Sequence, residues 1–153
     1  MEFGGRYLIH APRQTVWAAL NNTAVLKACI PGAQRIEWTG PDSLEIEIKV
    51  SLGVMRPTFK GDLMLSKIVP ARSYTLSGKG RGALLGMAQA SADITLTDRD
   101  RGTELYFAAT GGASGALMSL GRAIIGNSAQ RVIDGFFEGF GRAMGAPVTV
   151  LQV

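Results

Sequence analysis

His10 and Cys29 are the chain's one histidine and one cysteine. His10 closes a short alternating run with no serine, cysteine or metal-ligand companion in its pattern. General-base, triad and zinc chemistry therefore lack a second member, and His10 is expected to be structural or exposed. A single cysteine makes no internal disulfide and no metal cluster, so Cys29 is expected as a buried, inert thiol. Asp93, Glu104, Asp134 and Glu138 could meet in space, but no paired-acid motif joins them. As possible proton donors, Tyr74 falls on an inward alternation and Tyr106 on an outward one. The run from Gly78 to Gly86 lacks both the Lys-Ser/Thr ending and the strand-to-helix setting of a phosphate cradle. Gly111 to Gly115 does precede a helix, but no lysine follows in register. No catalytic residue and no metal site is assigned; what remains is the chemistry of apolar binding.

That chemistry needs a covered surface, and the sequence supplies its parts. Ser114 to Met144 reads as the central helical segment. Val132, Ile133, Phe136, Phe137 and Phe140 share one side of a 3.6-residue wheel, and Arg131, Asp134, Glu138 and Arg142 share the other. Leu117, Leu120, Ile124 and Ser128 point elsewhere, which predicts a bend or break near Gly126 and Asn127. The glycines of this segment each cost about 1 kcal/mol relative to alanine. They admit two readings, tight helix-on-sheet packing or a helix left thin and mobile over a cavity.

Before it, Phe3 to His10 reads as a strand, and Ala11-Pro12 starts a helix carrying Val16, Trp17 and Leu20. A second helix is expected from Thr23 to Cys29, stopped by Ile30-Pro31-Gly32. The period then changes to two. Ile36 and Trp38 lead a strand, and Leu44, Ile46, Ile48, Val50 and Leu52 alternate with polar residues. Phe59, Gly61, Leu63 and Leu65 follow in the same way. A strand at Tyr74 and Leu76 enters a glycine-rich loop, Gly78 to Gly82. Gly86, Ala88, Ala90, Ala92, Ile94 and Leu96 share a face, as do Leu105, Phe107 and Ala109. Gly111-Gly112 then releases the chain into the last helix. Consecutive hairpin-linked strands with one apolar face describe an antiparallel sheet covered by helix, a single α+β domain. Its inward positions Gly61, Gly78, Gly86, Ala88, Ala90, Ala92 and Ala109 are small, which leaves room for a cavity.

Composition agrees with a globular domain: 153 residues, 46% hydrophobic and 18% charged. No window approaches about 18 uninterrupted apolar residues, so no membrane span is expected, and Met1-Glu2-Phe3 opens no signal peptide. A cytoplasmic protein follows, peripheral at most to the inner membrane face. The net charge of +4 is scattered without a basic stripe, so nucleic acid is not an expected partner. It suits weak attraction to an anionic lipid surface or an acidic protein.

Ile9-His10-Ala11-Pro12 followed by Val16-Trp17, the Ile30-Pro31-Gly32 turn, the glycine-rich stretch before the last helix and Phe136-Phe137 together resemble the carbon monoxide dehydrogenase G-subunit family. That family belongs to the START-like (SRPBCC), helix-grip superfamily. The resemblance implies a curved antiparallel sheet of about six or seven strands wrapped around a long C-terminal helix. A START-like ligand-binding domain over residues 1–145 and a short tail over 146–153 follow. The resemblance further implies an accessory to a molybdenum hydroxylase of the carbon monoxide dehydrogenase type, a lipid or quinone as bound ligand, no other cofactor, and transient membrane contact. On this reading Phe59, Leu63, Ala88, Ala90, Phe107, Phe136 and Phe140 hold an apolar molecule. Lys79, Arg81, Leu84 and Leu85, with Leu117, Met118 and Ile125, gate the cavity or touch a membrane or partner. Two rivals stand beside the carrier: a small cyclase- or hydratase-like enzyme using a cavity acid or tyrosine, and a purely protein-binding adaptor presenting Leu117, Met118 and Ile125.

Overall fold

A computed structural model describes residues 1–82 and 85–151. The period-two segments pair as eight antiparallel strands in one sheet of order β2-β3-β4-β5-β6-β7-β1-β8. They are β1 (Glu2–Ile9), β2 (Ala33–Trp38), β3 (Ser43–Lys49), β4 (Thr58–Val69), β5 (Ser73–Gly82), β6 (Gly86–Arg99), β7 (Gly102–Ala113) and β8 (Val148–Leu151). Two short helices, α1 (Arg13–Leu20) and α2 (Thr23–Cys29), follow β1, and the long helix α3 (Arg122–Met144) precedes β8. The result is the expected α+β helix-grip arrangement, a curved sheet around a C-terminal helix. It has eight strands and not six or seven, because the C-terminal tail adds to the sheet: Val148 pairs with Ile9 and Leu151 with Arg6.

Local chemistry sets the helix boundaries. Pro12, at φ −61°, leads into α1 because its fixed φ suits a helix start. Asn22 caps α2, its side chain accepting from the Ala24 amide at 2.9 Å and the Val25 amide at 3.2 Å. At the turn after α2, Gly32 has φ +78°, and a Cβ there would stand 2.0 Å from the Lys49 carbonyl oxygen. Only glycine fits both demands. The Thr103 hydroxyl, fully buried, donates to the Ala11 carbonyl at 2.8 Å and ties α1 to β7.

Three expectations of local structure are corrected. Gly78 to Gly82 is strand, not loop: Gly78, Gly80 and Gly82 pair with Leu63, Gly61 and Phe59 on one side and with Ala90, Ala88 and Gly86 on the other. Bonding on both edges outweighs the weak strand preference of glycine. Gly111 and Gly112 likewise remain in β7, opposite Ala90 and Gln89. The helical break falls at Gly121 and not near Gly126. A 3-10 helix (Gly115–Leu120) ends there, Gly121 adopts φ +88°, ψ 156°, and α3 then runs unbroken. That backbone region is essentially reserved for glycine.

Helix α3 packs on α2 and β8, and its glycines explain how closely. A Cβ at Gly135 would lie 2.5 Å from Pro31 Cγ, and one at Gly139 3.1 Å from Cys29 Cα. At these two positions the tight-packing reading holds, and α2 docks where α3 has no side chain. The driest part of the core lies at this end, where Ile9, Val16 and Phe140 are fully buried.

Candidate functional site

Burial of the concave sheet face falls steadily along the strands away from α1. On β6 Leu96 is 2% exposed and Ile94 8%; Ala92 is half-buried and Ala90 exposed, although all four share one face. On β7 Leu105 and Phe107 are buried while Ala109 and Gly111 are half-buried. On β4 and β5 Leu65 and Tyr74 are buried, and Leu63, Leu76 and Gly78 are not. Beyond this opening the face closes again. Leu52, Phe59 and Leu117 form a second buried cluster, against which Ala88, Ala113, Leu120 and Ile125 pack. The concave face therefore carries two apolar plugs with a partly open hollow between them, floored by small residues. Close-packed cores have no such gap.

α3 spans the two plugs. Ile125 rests on the far plug, while Ile133 and Phe136 rest on the main core. The Ser128 hydroxyl donates to the Ser51 carbonyl at 2.6 Å, pinning the helix to the β3–β4 connection. At the level of Ala90 the sheet also carries a trough of about 940 Å³. Its lining takes in Leu63, Gly78, Ala90 and Gly111 of the concave row and Met64, Ser77, Lys79 and Ser91 of the outer one, with no residue of α3. It is an open feature of the sheet that shares Leu63 and Ala90 with the half-open stretch of the concave face.

The residues expected to contact a ligand divide between these regions. Leu63, Ala90 and Phe136 border the hollow, and Phe107 marks its inner limit. Ala88 and Phe59 belong to the far plug. Phe140 is fully buried at the dry end, stacked on Phe136 with ring centroids 5.5 Å apart, so it supports the wall and does not face the hollow.

The gate residues divide too. Lys79 and Arg81 are exposed strand residues of β5, and Leu84 lies outside the described residues. Leu85 and Ile125 are half-buried and Leu117 is 3% exposed. Leu117 is thus a plug, corrected from the exposed surface that the adaptor reading required. Met118 alone of that trio is open, at 62%.

Tyr7 carries no signal of its own in the sequence, yet it dominates the aromatic wall. Its ring stacks on Phe137 with centroids 3.7 Å apart and lies parallel to Phe107 at 6.1 Å. Burial, and secondarily the Asp134 carboxylate, push its phenol above the usual tyrosine range. The alternation of β1 gives its face; its partnership with Phe137, at the other end of the chain, leaves no local trace.

Tyr74 is inward as expected, edge-on to Trp17 at 5.4 Å, and burial pushes its phenol up to about 12. Tyr106 faces outward, 44% exposed. Glu104 lies on the outer face between Arg6 and Arg99, whose hydrogen bonds hold its carboxyl below the usual range. Thr75 donates to Asp93 at 2.7 Å on the outer face. His10 is exposed, 3.3 Å from the Thr149 hydroxyl. Cys29 is buried, and burial pushes its thiol up despite Arg142. Among the described residues no group of acidic, histidine and cysteine side chains could hold a metal ion, and no helix is long and apolar enough to cross a membrane.

With this geometry in place, comparison with known proteins narrows the assignment. The family model of the carbon monoxide dehydrogenase G subunit (CoxG) matches residues 5–145. No curated protein matches the chain. Among solved structures, a conserved protein from Geobacillus kaustophilus aligns with a TM-score of 0.85 at 21% identity, covering 97% of this chain and 99% of that one. Ara h 8.0201 aligns at 0.69 with 16% identity, over 95% and 98% of the two chains. The Zhui aromatase/cyclase from Streptomyces sp. R1128 aligns at 0.65 with 15% identity, over 94% and 93%. At these identities the likeness is one of fold.

Proposed function

Because the chain belongs to the carbon monoxide dehydrogenase G-subunit (CoxG) family, we propose that it is a non-catalytic accessory protein of a molybdenum hydroxylase system. In this role it holds an apolar lipid- or quinone-like molecule in the hollow beneath α3 and brings the enzyme into transient contact with the membrane. The observation that carries the ligand-binding part is the loss of burial along one face of β6, from Leu96 to Ala90. A face that is apolar, small-residued and half-open under a helix gains by covering: roughly 25 cal/mol accrues per Å² of apolar surface removed from water.

The non-catalytic reading is supported by the titratable groups of the sheet. The two inward phenols of the main core, Tyr7 and Tyr74, are both shifted upward, so they stay protonated near neutrality. Glu104 and Asp93 bond other groups on the outer face. A general acid or base poised near pH 7 is wanting among these groups.

The membrane part is supported by charge placement. Residues 48–61, 78–92 and 111–133 carry Lys49, Arg56, Lys60, Lys79, Arg81, Arg122 and Arg131 and no acidic residue. Within these stretches Val54 is fully exposed, and Met118 and Ile124 are exposed. Apolar tips set among cations suit an anionic lipid surface.

The test is Ala90→Phe, which lays a ring over Gly78 and Gly111, its partners on β5 and β7. In fluorescence titration with N-phenyl-1-naphthylamine, the wild type should bind the dye and the variant should bind it at least tenfold more weakly, with thermal stability kept. Equal binding by both would remove the hollow from the account.

A further inference from the structure

The open sheet has two edges, and they are built differently. β2 and β8 each pair on one side only. An unpaired edge is a template for another strand, and folded proteins blunt it with charge or irregularity. β2 has both: its register with β3 shifts between Ala33 and Arg35, and Arg35 and Glu37 form an ion pair at 3.1 Å. β8 has neither. Val148-Thr149-Val150-Leu151 carries no charge, pairs with β1 in unbroken register and leaves Val150 72% exposed.

The hydrogen bonds of β1 determine which backbone groups of β8 are open. The His10 amide donates to the Pro147 carbonyl at 3.0 Å, so these two residues form a hydrogen-bonded pair. Bonded and non-bonded pairs alternate along an antiparallel ladder. Thr149, opposite Leu8, and Leu151, opposite Arg6, therefore direct their backbone groups to β1, while Val148 and Val150 direct theirs away. The other side of β1 agrees: Met1 and Gly111 exchange bonds at 2.8 Å, which sends the backbone groups of Tyr7 and Ile9 to β7. Val148 is crowded by α3, its amide lying 3.5 Å from a Cβ built on Gly141. Val150 is left with an amide, a carbonyl and a side chain all open. Among the described residues nothing bonds to this edge.

The strand itself says what covers it. A foreign strand would need selection by side chains, and an uncharged Val-Thr-Val-Leu edge supplies none. A second copy of β8 matches it without selection. Laid antiparallel about a two-fold axis at Val150, each Val150 amide meets the other copy's Val150 carbonyl, and the two side chains meet on the concave side. Thr149 then lies opposite the second copy's Leu151. Arg6, the charged residue beside Leu151, stays three strand spacings, about 14 Å, from the second copy's β1. β8 borders the end of β1 that enters the dry core, and the acid-free basic stretches lie toward the far plug, so two copies joined here keep their cations apart.

We infer that β8 is a homodimerisation edge, with two copies joined Val150 to Val150 so that one sheet continues into the other. Such an interface uses the same patch on both copies, and its small size makes the dimer weak, with a Kd in the micromolar range. It stands independently of the hollow.

Sedimentation velocity of the full chain over a dilution series should show a mass rising from 16.2 kDa toward twice that value. Val150→Lys sets two cations side by side across the axis and should raise the dimer Kd at least tenfold. Val150→Pro removes the outward amide while Thr149 and Leu151 keep their bonds to β1, and it should weaken the dimer as much. Glu37→Ala, on the opposite edge, should leave the Kd within twofold. Amide hydrogen exchange needs no variant: concentrating the wild type should slow exchange at Val150 at least tenfold and leave the amides of β2 unchanged. A wild type that stays monomeric up to millimolar concentration overturns the inference. So does a dimer that forms without protecting the Val150 amide, or whose Kd both Val150 variants leave unmoved.

Discussion

Glu104 shows how the outer face of the sheet is held. Its carboxylate accepts from Arg6 Nη2 at 2.9 Å and from Arg99, and these bonds lower its pKa. A carboxyl depressed in the folded state contributes stability that is full above its unfolded pKa and lost as pH falls through the folded value. Glu104→Gln should therefore lower stability at pH 7 by about 1 kcal/mol and flatten the decline of stability below the ordinary glutamate range, as followed by urea unfolding at stepped pH. A wild-type acid limb in the variant would mean that other carboxylates set it. At this scale the sequence shows inwardness better than role. Alternation places Tyr74 inside and Tyr106 outside correctly. It cannot separate Phe136 at the hollow from Phe140 in the dry core, because both lie on one face of one helix and only their distance from α1 distinguishes them.

Two glycines of α3 make opposite demands on the helix. Gly126 faces open ground, and a Cβ there would meet only Met1 Sδ at 3.5 Å. Gly126→Ala should raise stability by about 0.5–1 kcal/mol through helix propensity. At Gly135 the added methyl would lie 2.5 Å from Pro31 Cγ, and a pyrrolidine ring yields only by moving the turn after α2. Gly135→Ala should therefore lower stability by about 1–3 kcal/mol despite the same gain in propensity. Thermal melts of the two variants test the pair; the same sign for both would refute the docking of Pro31 on bare helix. Most elements are legible in the sequence because period two and period 3.6 are strong signals. Those where glycine governs are misplaced: Gly78 to Gly82 reads locally as loop but is held from both sides by β4 and β6. Val148 to Leu151 is too short to announce a strand, and β1 supplies its edge.

Across the whole molecule, apolar and charged features have separate places. The dry core lies at the end of α1 and α2, burial of the concave face falls away from there, and the acid-free basic segments carry the exposed Val54 and Met118. Flotation with phosphatidylcholine vesicles containing phosphatidylglycerol should therefore recover the protein at low salt and lose it at high salt. The combined change Arg56→Glu and Arg122→Glu should weaken that recovery at least tenfold; recovery on pure phosphatidylcholine to the same extent would exclude charge as the cause. Small inward residues and a covering helix are legible as room for a ligand, but its position between two plugs is not, because Leu52, Phe59 and Leu117 meet only in the folded chain. The measurement that bears most directly on the carrier role is organic extraction of the protein purified from its native host without detergent, with mass spectrometry against a mock purification. One apolar compound is predicted near one equivalent in the wild type, with little in Ala90→Phe. A wild-type extract with no such compound, from protein that also fails to bind N-phenyl-1-naphthylamine, would contradict the carrier role.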